Sequence, residues 1–301
     1  MKRIKTIAAR ETKQALWYIF PSLAALCVVA LYPILNTFWL SLNRVSLALQ
    51  IFTYSGFKNY MRLFQDPKFI NAWKNTITFT LTSVGLETII GLLIALVIIN
   101  NFRGRSLTRA SVLVPWAIPT VVSSRMWEWI FNSNYGVMNY FLLKVGLIDK
   151  AQNWLGTQGM ALGTAIFVDV WKTTPFMALL ILAGLTSIPR GLYESATIDG
   201  SNSLQSFFYI TFPLVTPILL VSMLLRTLDA FRVFDLIFIL TKGGPADSTE
   251  VLSTYTYKTL FSVTNFGYGS TLAMSMFITV TAIAIVYYFV MKTQEAETLD
   301  R

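Results

Sequence analysis

The sequence predicts an all-α polytopic membrane protein with six transmembrane helices. Of the 301 residues, 54% are hydrophobic and only 13% are charged, which is about half the charged fraction of a soluble domain. The apolar residues are concentrated in runs of about 20 or more, the length that an α-helix needs to cross a hydrocarbon layer. These observations indicate a single transmembrane domain that extends over residues 1–301.

The predicted spans are apolar runs separated by more polar segments. They are Trp17–Leu42, Ala72–Asn100, Ser111–Phe131, Met160–Thr186, Pro213–Leu240 and Gly269–Met291. The first run follows a basic start, which is also typical of a secretory signal peptide. The apolar core of a signal peptide is only about 7–15 residues long and ends at a small-residue cleavage site. This run is longer and has no such site, so we interpret it as a span.

The basic residues determine the predicted orientation. Residues 1–14 contain five lysines and arginines, and Arg103, Arg105 and Arg109 follow the second span. The positive-inside rule places both segments in the cytoplasm. Six spans then leave both termini in the cytoplasm, with 1–14 as a cytoplasmic tail. Basic residues such as Arg44 also occur in the first outer segment, so the orientation depends mainly on the tail and the second loop.

Composition excludes several other classes of function. The formal charge of +9 raises nucleic-acid binding as an alternative, but the basic residues are dispersed and topology signals account for much of them. The chain has no histidine, the commonest metal ligand and general base, and Cys27 is its single cysteine. It also lacks a G-x-x-x-x-G-K-[ST] phosphate-binding loop. We therefore expect no catalytic residue, no metal, no bound cofactor and no nucleic-acid partner.

The segment between the fourth and fifth spans has the pattern of two short helices around a turn. Pro189 suits a first helical turn. Asp199-Gly200 is a helix stop, because glycine can take the left-handed conformation at a helix end, and Ser201 can cap the next helix. Composition alone leaves two alternatives open: an ordinary re-entry loop, or a docking element for a cytoplasmic partner.

The same segment contains a spaced motif that resembles a family signature. Its residues are Glu194, Ser195, Ala196, Gly200, Ile210, Thr211, Phe212 and Pro213. The pattern is similar to E-A-A, three residues, G, nine residues, I-x-L-P, the signature of binding-protein-dependent ABC-importer permeases. Every spacing matches, with Ser195 in place of alanine and Phe212 in place of leucine.

Four further stretches resemble sugar permeases, most closely the trehalose/maltose branch. They are LYPILNTFWLSL near Leu31, VLVPWAIPTVVSSRMWEWIFNSNYGVMN from Val112, VDVWKTTPFMALLILAGL from Val168 and LDAFRVFDLIFILTKGGP from Leu228. The resemblance implies the architecture of an ABC type I importer permease, in which residues 188–212 form a cytoplasmic coupling loop. The residues that would contact the ATPase are Glu194, Ser195, Ala196, Asp199 and Gly200.

The resemblance also implies the partners and the location. We expect a second homologous permease subunit in a heterodimer, two ATP-binding-cassette subunits that bind ATP and Mg, and an extracytoplasmic solute-binding protein. The substrate would be a sugar, for example a disaccharide such as trehalose or maltose. The location would be the prokaryotic cytoplasmic (inner) membrane, with the bilayer around a multi-pass chain.

Charged residues occur within the predicted spans. The fifth span contains Arg226, Asp229, Arg232 and Asp235 at steps of three, and similar pairs are Arg125 with Glu128 and Asp169 with Lys172. An unpaired charge at mid-span costs about 2.5–3.5 kcal/mol, so we predict that residues three apart form ion pairs. Three interpretations remain open for these charges. The pairs could have the purely structural role of setting helix register, or the side chains near span ends could extend to the membrane interface. The charges could also line a polar passage for a hydroxyl-rich solute.

Sugar-contacting positions follow from the resemblance, with the signature glutamate as the anchor. They correspond to Ser123, Asp169, Lys172, Thr173, Phe176, Arg226, Ala230 and Val233, and we add Asp229 because it adjoins Arg226 in the series of charges. On the residues alone, a secondary active transporter is an alternative, because intramembrane charges suit an ion relay and Pro175 would interrupt a span. A scaffold would leave the charges unexplained, and an enzyme has no nucleophile–base arrangement here.

Overall fold

The structure is a computed structural model that describes residues 17–299, with side chains as far as residue 294. The predicted tail 1–14 lies outside the described residues. The elements are α1 Trp17–Ser41, β1 Asn43–Ser46, β2 Ile51–Tyr54, α2 Lys58–Leu63, α3 Pro67–Ile99, α4 Arg105–Ala117, α5 Thr120–Ile130, α6 Val137–Val145, α7 Met160–Thr186, α8 Arg190–Ile198, α9 Ser203–Ala230, α10 Asp235–Leu240, α11 Leu252–Tyr257 and α12 Phe266–Leu299. Helices dominate, and a small antiparallel β1–β2 hairpin is an addition to the all-α expectation.

Five helices in the described part of the chain are long and apolar enough to cross a membrane, namely α1, α3, α7, α9 and α12. They confirm five of the predicted spans. The third predicted span, Ser111–Phe131, is instead divided into α4 and α5. Ile118 between them has an extended backbone with ψ 130°, because the proline that follows it disfavours the helical conformation in the preceding residue.

The fifth predicted span is shifted along the chain. Its helix, α9, begins at Ser203 rather than at Pro213. Asn202, not Ser201, caps it: the Asn202 side chain accepts from the Gln205 backbone N–H at 2.9 Å, and the Gln205 side chain accepts from the Asn202 N–H at 2.9 Å. This reciprocal capping box starts the helix early, so the second short helix expected in the preceding segment is the beginning of α9.

One compact unit contains, within the described residues, 17–65 and 256–275. The Asn59 side chain joins α2 to the β-hairpin. Its Nδ2 donates to the backbone oxygens of Ser41, at the end of α1, and Asn43, at the start of β1. The Arg62 guanidinium lies 4.6 Å from the centre of the Tyr268 ring, a cation–π contact. These contacts hold the hairpin, α2 and the start of α12 together.

The other compact unit contains 66–255 and the described residues from 276 onward. Helix α7 is its centre, because most of its apolar length is buried, and it packs against α3, α4 and α9. Its large, fully buried side chains include Phe79, Val168, Met177, Ile181, Val215, Leu236 and Ile237. Helices α3 and α7 pack closely at Gly91, where an added Cβ would lie 2.9 Å from Met177 Cγ and 3.2 Å from the Ala178 backbone nitrogen. Small residues allow such close packing of transmembrane helices.

We expect Gly91→Val to lower the stability of the folded chain, because its side chain would push α7 away from α3. The cost of such overpacking is about 1–3 kcal/mol. Gly85→Val is the matched control, since Gly85 is on the same helix and a Cβ there meets nothing within 4 Å. Thermal unfolding of the two variants in detergent provides the measurement. Equal melting temperatures would show that the close approach at Gly91 does not contribute to stability.

Candidate functional site

The candidate site begins with a residue that the sequence analysis missed. Glu87 is the only ionisable residue between positions 75 and 99 of α3, and its side chain is fully buried. A lone charge within an apolar span is itself a signal of a functional or paired group. The spacing of three positions between opposite charges on one helix does not identify Glu87, because its partner is on another helix.

That partner is Arg226 on α9. Its Nε donates to one Glu87 oxygen at 2.6 Å and its Nη2 donates to the other at 2.9 Å. Nη2 also donates to Asp169 on α7 at 3.1 Å, and Nη1 donates to Asp229 on α9 at 2.7 Å. Paired N–H···O bonds of this kind are the strongest and most directional that arginine makes to a carboxylate. One guanidinium therefore links α3, α7 and α9.

The members of this cluster differ in their access to solvent. The side chain of Arg226 is 3% exposed, whereas that of Asp229 is 69% exposed. All three guanidinium nitrogens already donate to carboxylates, so Arg226 has little capacity left for a solute. The predicted Arg226–Asp229 pair is confirmed. Of the two side chains, only that of Asp229 is exposed on the surface of the chain.

Two neighbouring residues of α7 complete the cluster. The Thr173 hydroxyl lies 2.6 Å from Glu87 Oε1 and 2.6 Å from the Asp169 carbonyl oxygen, either of which can accept its proton. The predicted pair of Asp169 with Lys172 is wrong, since no ion pair between them lies within 4.0 Å. Asp169 pairs instead with Arg226, because the guanidinium on α9 reaches it. Lys172 is 9% exposed and has no carboxylate partner among the described residues.

The other predicted solute positions lie outside this hydrogen-bonded group. Ser123 on α5 is buried, and its hydroxyl donates to the Thr120 carbonyl oxygen at 3.0 Å. The Phe176 ring stacks on Trp116 with centroids 5.7 Å apart. Ala230 is the last residue of α9, and Val233 lies in the turn that follows. The structure thus joins Asp169, Thr173, Arg226 and Asp229, and it leaves Ser123, Phe176, Ala230 and Val233 apart from them.

The remaining charges show where helix continuity matters. Arg125 and Glu128 are both on α5 and form the predicted pair at 2.6 Å. Arg232 and Asp235 do not pair in the described part of the chain, because α9 ends at Ala230 and the two residues no longer lie on one helix. The Arg232 side chain instead donates to the Leu228 carbonyl oxygen at 2.9 Å.

The segment between α7 and α9 has the predicted turn. Helix α8 ends at Ile198, and Gly200 follows with φ +79°. The Ser201 N–H donates to the Ala196 carbonyl oxygen at 2.8 Å, and the Gly200 N–H donates to that of Thr197 at 3.1 Å. This is the Schellman arrangement, which requires a left-handed residue at the glycine position.

The surface of α8 carries the motif residues. Glu194, Ser195, Asp199 and Gly200 are exposed, and Ala196 is half-buried. The Glu194 carboxylate makes no hydrogen bond or ion pair with the described side chains, residues 17–294, so it is available to another molecule. Among the side chains that the structure describes, residues 17–294, no group of acidic, histidine or cysteine residues is arranged to hold a metal ion.

Comparison with known proteins identifies the family. Residues 87–297 match the model of the binding-protein-dependent transport system inner membrane component. The chain belongs to this family. It is 41% identical over 278 residues to the trehalose/maltose transport system permease protein MalF of Thermococcus litoralis, covering 92% of this chain and 93% of that protein. It is 34% identical over 282 residues to the sulfoquinovosyl glycerol transport system permease protein SmoG of Agrobacterium fabrum, covering 93% and 91%.

A solved structure has the same fold. It is a bacterial ABC transporter involved in the import of the acidic polysaccharide alginate, and the match has a TM-score of 0.81 at 23% identity over 97% of this chain and 99% of that one. The chain is thus a multi-pass membrane component of a binding-protein-dependent transport system. The family match does not favour the alternative of a secondary transporter. One of its two supports is also lost, since Pro175 lies within the continuous helix α7 and does not interrupt the span.

We expect Glu87→Gln to destabilise the chain strongly, because it leaves a buried guanidinium without its main counter-charge. Breaking one side of a buried ion pair costs about 3–5 kcal/mol. Asp229→Asn removes an exposed carboxylate that pairs with the same guanidinium. An ion pair at an exposed position contributes only about 0–1 kcal/mol, so we expect a small effect. The yield and melting temperature of both purified variants provide the measurement. Equal behaviour would contradict the assignment of Glu87 as the main partner of Arg226.

Proposed function

We propose that this chain is the permease subunit of an ABC importer that takes up a sugar, most specifically a disaccharide such as trehalose or maltose. The observation that supports this most directly is the 41% identity with the Thermococcus litoralis trehalose/maltose permease along nearly the whole of both chains. The name of the second relative also refers to a glycoside. In this role the chain forms half of the translocation pathway.

The charges near α7 and α9 support a polar pathway, and they are of two kinds: buried charges that pair with one another, and charges that can bind a sugar. Glu87, Asp169 and Arg226 hold three span helices together and satisfy one another's charges. Asp229 presents a carboxylate that can accept hydrogen bonds from sugar hydroxyls, and the Lys172 ammonium can donate them. Thr173 and Phe176 lie on the same helix as Lys172 and belong to the proposed pathway. The edges of the proposed pathway are lined by Ser123, Ala230 and Val233.

Energy enters through a separate subunit in this proposal. Two ATP-binding-cassette subunits bind ATP and Mg, and this chain binds no cofactor. Glu194, Ser195, Ala196, Asp199 and Gly200 dock on the ATPase as a cytoplasmic coupling element within residues 188–212. The exposed, unpartnered Glu194 carboxylate and the Schellman turn after α8 support this assignment. A second homologous permease and an extracytoplasmic solute-binding protein complete the transporter, and both termini are cytoplasmic.

The substrate can be tested with the purified transporter in proteoliposomes. ATPase activity is measured with the cognate solute-binding protein across a panel of trehalose, maltose, sucrose and the monosaccharide glucose. We expect stimulation by trehalose or maltose that exceeds stimulation by glucose. Stimulation by none of these sugars, in a preparation with a measurable basal ATPase rate, would contradict trehalose and maltose as the substrates.

We expect Glu194→Lys to uncouple the permease from its ATPase, because it places a cation where the partner surface receives a carboxylate. Asp149→Lys makes the same charge change in an exposed loop outside α8 and serves as the control. Copurification of the ATPase and ligand-stimulated hydrolysis should fall severalfold for Glu194→Lys alone. Wild-type coupling in that variant would contradict the role of α8.

A further inference from the structure

Two adjoining cavities lie where α3 and α7 end and α4 begins. The larger, about 890 Å³, is lined largely by polar groups, among them Arg105 and Arg190 with the hydroxyls of Tyr193, Thr197 and Ser203. The smaller, about 330 Å³, is almost entirely apolar except for Arg109. Its apolar lining includes Val112, Leu113, Pro175, Leu179 and Leu182. Thr186 lines both cavities, so a polar chamber adjoins an apolar cleft.

The positive charge at these cavities is not neutralised within the described residues. No acidic residue lines either cavity. Arg105 donates only to neutral acceptors, the Ile98 carbonyl oxygen at 2.8 Å and the Asn101 side-chain oxygen at 2.7 Å. Arg109 makes no hydrogen bond or ion pair in the part of the chain that the structure describes, and its Nε is buried without an acceptor. A buried donor without an acceptor is costly, so the site is suited to an anion.

The position of the cavities indicates where the anion originates. Ile99 is the last residue of α3 and Thr186 is the last residue of α7, and both helices are apolar spans. Span ends lie at the level of the lipid headgroups, where basic pockets between transmembrane helices bind anionic lipids. The apolar cleft runs from this level along α4 and α7 toward Pro175, in the direction of the hydrocarbon layer.

We propose that these cavities form a binding site for an anionic phospholipid. Its phosphate lies at Arg109 and Arg105 in reach of the hydroxyl-lined chamber, and one acyl chain occupies the cleft between α4 and α7. The combination of an uncompensated guanidinium with an adjoining apolar cleft selects a lipid over a soluble anion. This proposal does not depend on the identity of the sugar or on the docking of Glu194 on the ATPase.

The test is native mass spectrometry of the delipidated chain with its copurifying subunits, titrated with phosphatidylglycerol or with phosphatidylcholine. Wild type should retain phosphatidylglycerol in preference to phosphatidylcholine. Arg109→Gln should weaken phosphatidylglycerol binding about fivefold, the effect of one basic group near an anionic lipid surface. Arg103→Gln is the matched control, because Arg103 lies in the turn just before α4 and lines neither cavity.

A second variant separates the acyl chain from the phosphate. Ala183 lines the apolar cleft, and Ala183→Phe should fill it and weaken phosphatidylglycerol binding with all arginines present. Equal binding by Arg109→Gln and Arg103→Gln would overturn the proposal. Unchanged binding by Ala183→Phe, together with displacement of the lipid by inorganic phosphate, would show a soluble-anion site instead. Loss of a copurifying subunit rather than of lipid from Arg109→Gln would show that the cavities receive a protein partner.

Discussion

The buried guanidinium of Arg226 is the group around which the larger unit is organised. A charge in the interior of a membrane protein is tolerated only when opposite charges and hydrogen bonds surround it. Here Glu87 contributes both of its carboxylate oxygens and Asp169 contributes one. Since these carboxylates are on α3 and α7 and the guanidinium is on α9, the electrostatic requirement also determines how the three helices register against one another.

This arrangement separates the structural charges from those that can meet a solute. Arg226 and Glu87 are buried and mutually satisfied, so they contribute rigidity rather than free donors or acceptors. The Asp229 side chain accepts a hydrogen bond from the same guanidinium and is otherwise largely exposed on the surface of the chain. The hydrogen bond from Arg226 sets the orientation of the carboxylate. A carboxylate held in this way is preorganised, which reduces the ordering cost when a ligand binds.

Helix α9 connects the ion cluster with the turn that follows α8. It is continuous from Ser203 to Ala230, so Arg226 lies about 35 Å along the helix from its first residue at 1.5 Å per residue. The capping box at Asn202 and the Schellman turn at Gly200 define the start of this helix. In the proposed docking of α8, a displacement of α8 reaches the start of α9, and the far end of the same helix carries Arg226 of the charged cluster. This is a physical route for coupling.

The sequence by itself determined the features that depend on neighbouring residues. Apolar runs predicted six spans, of which five are continuous helices and the third is divided at Ile118-Pro119. Asp199-Gly200 predicted the left-handed turn, because glycine conformation is a local property. Only the tertiary structure decided that Arg226 pairs with Glu87, which is 139 positions away, and that Asp169 pairs with Arg226 rather than Lys172. Spacing along one helix cannot reveal such partners, since a buried charge pairs with whichever opposite charge the packing of other helices brings within reach.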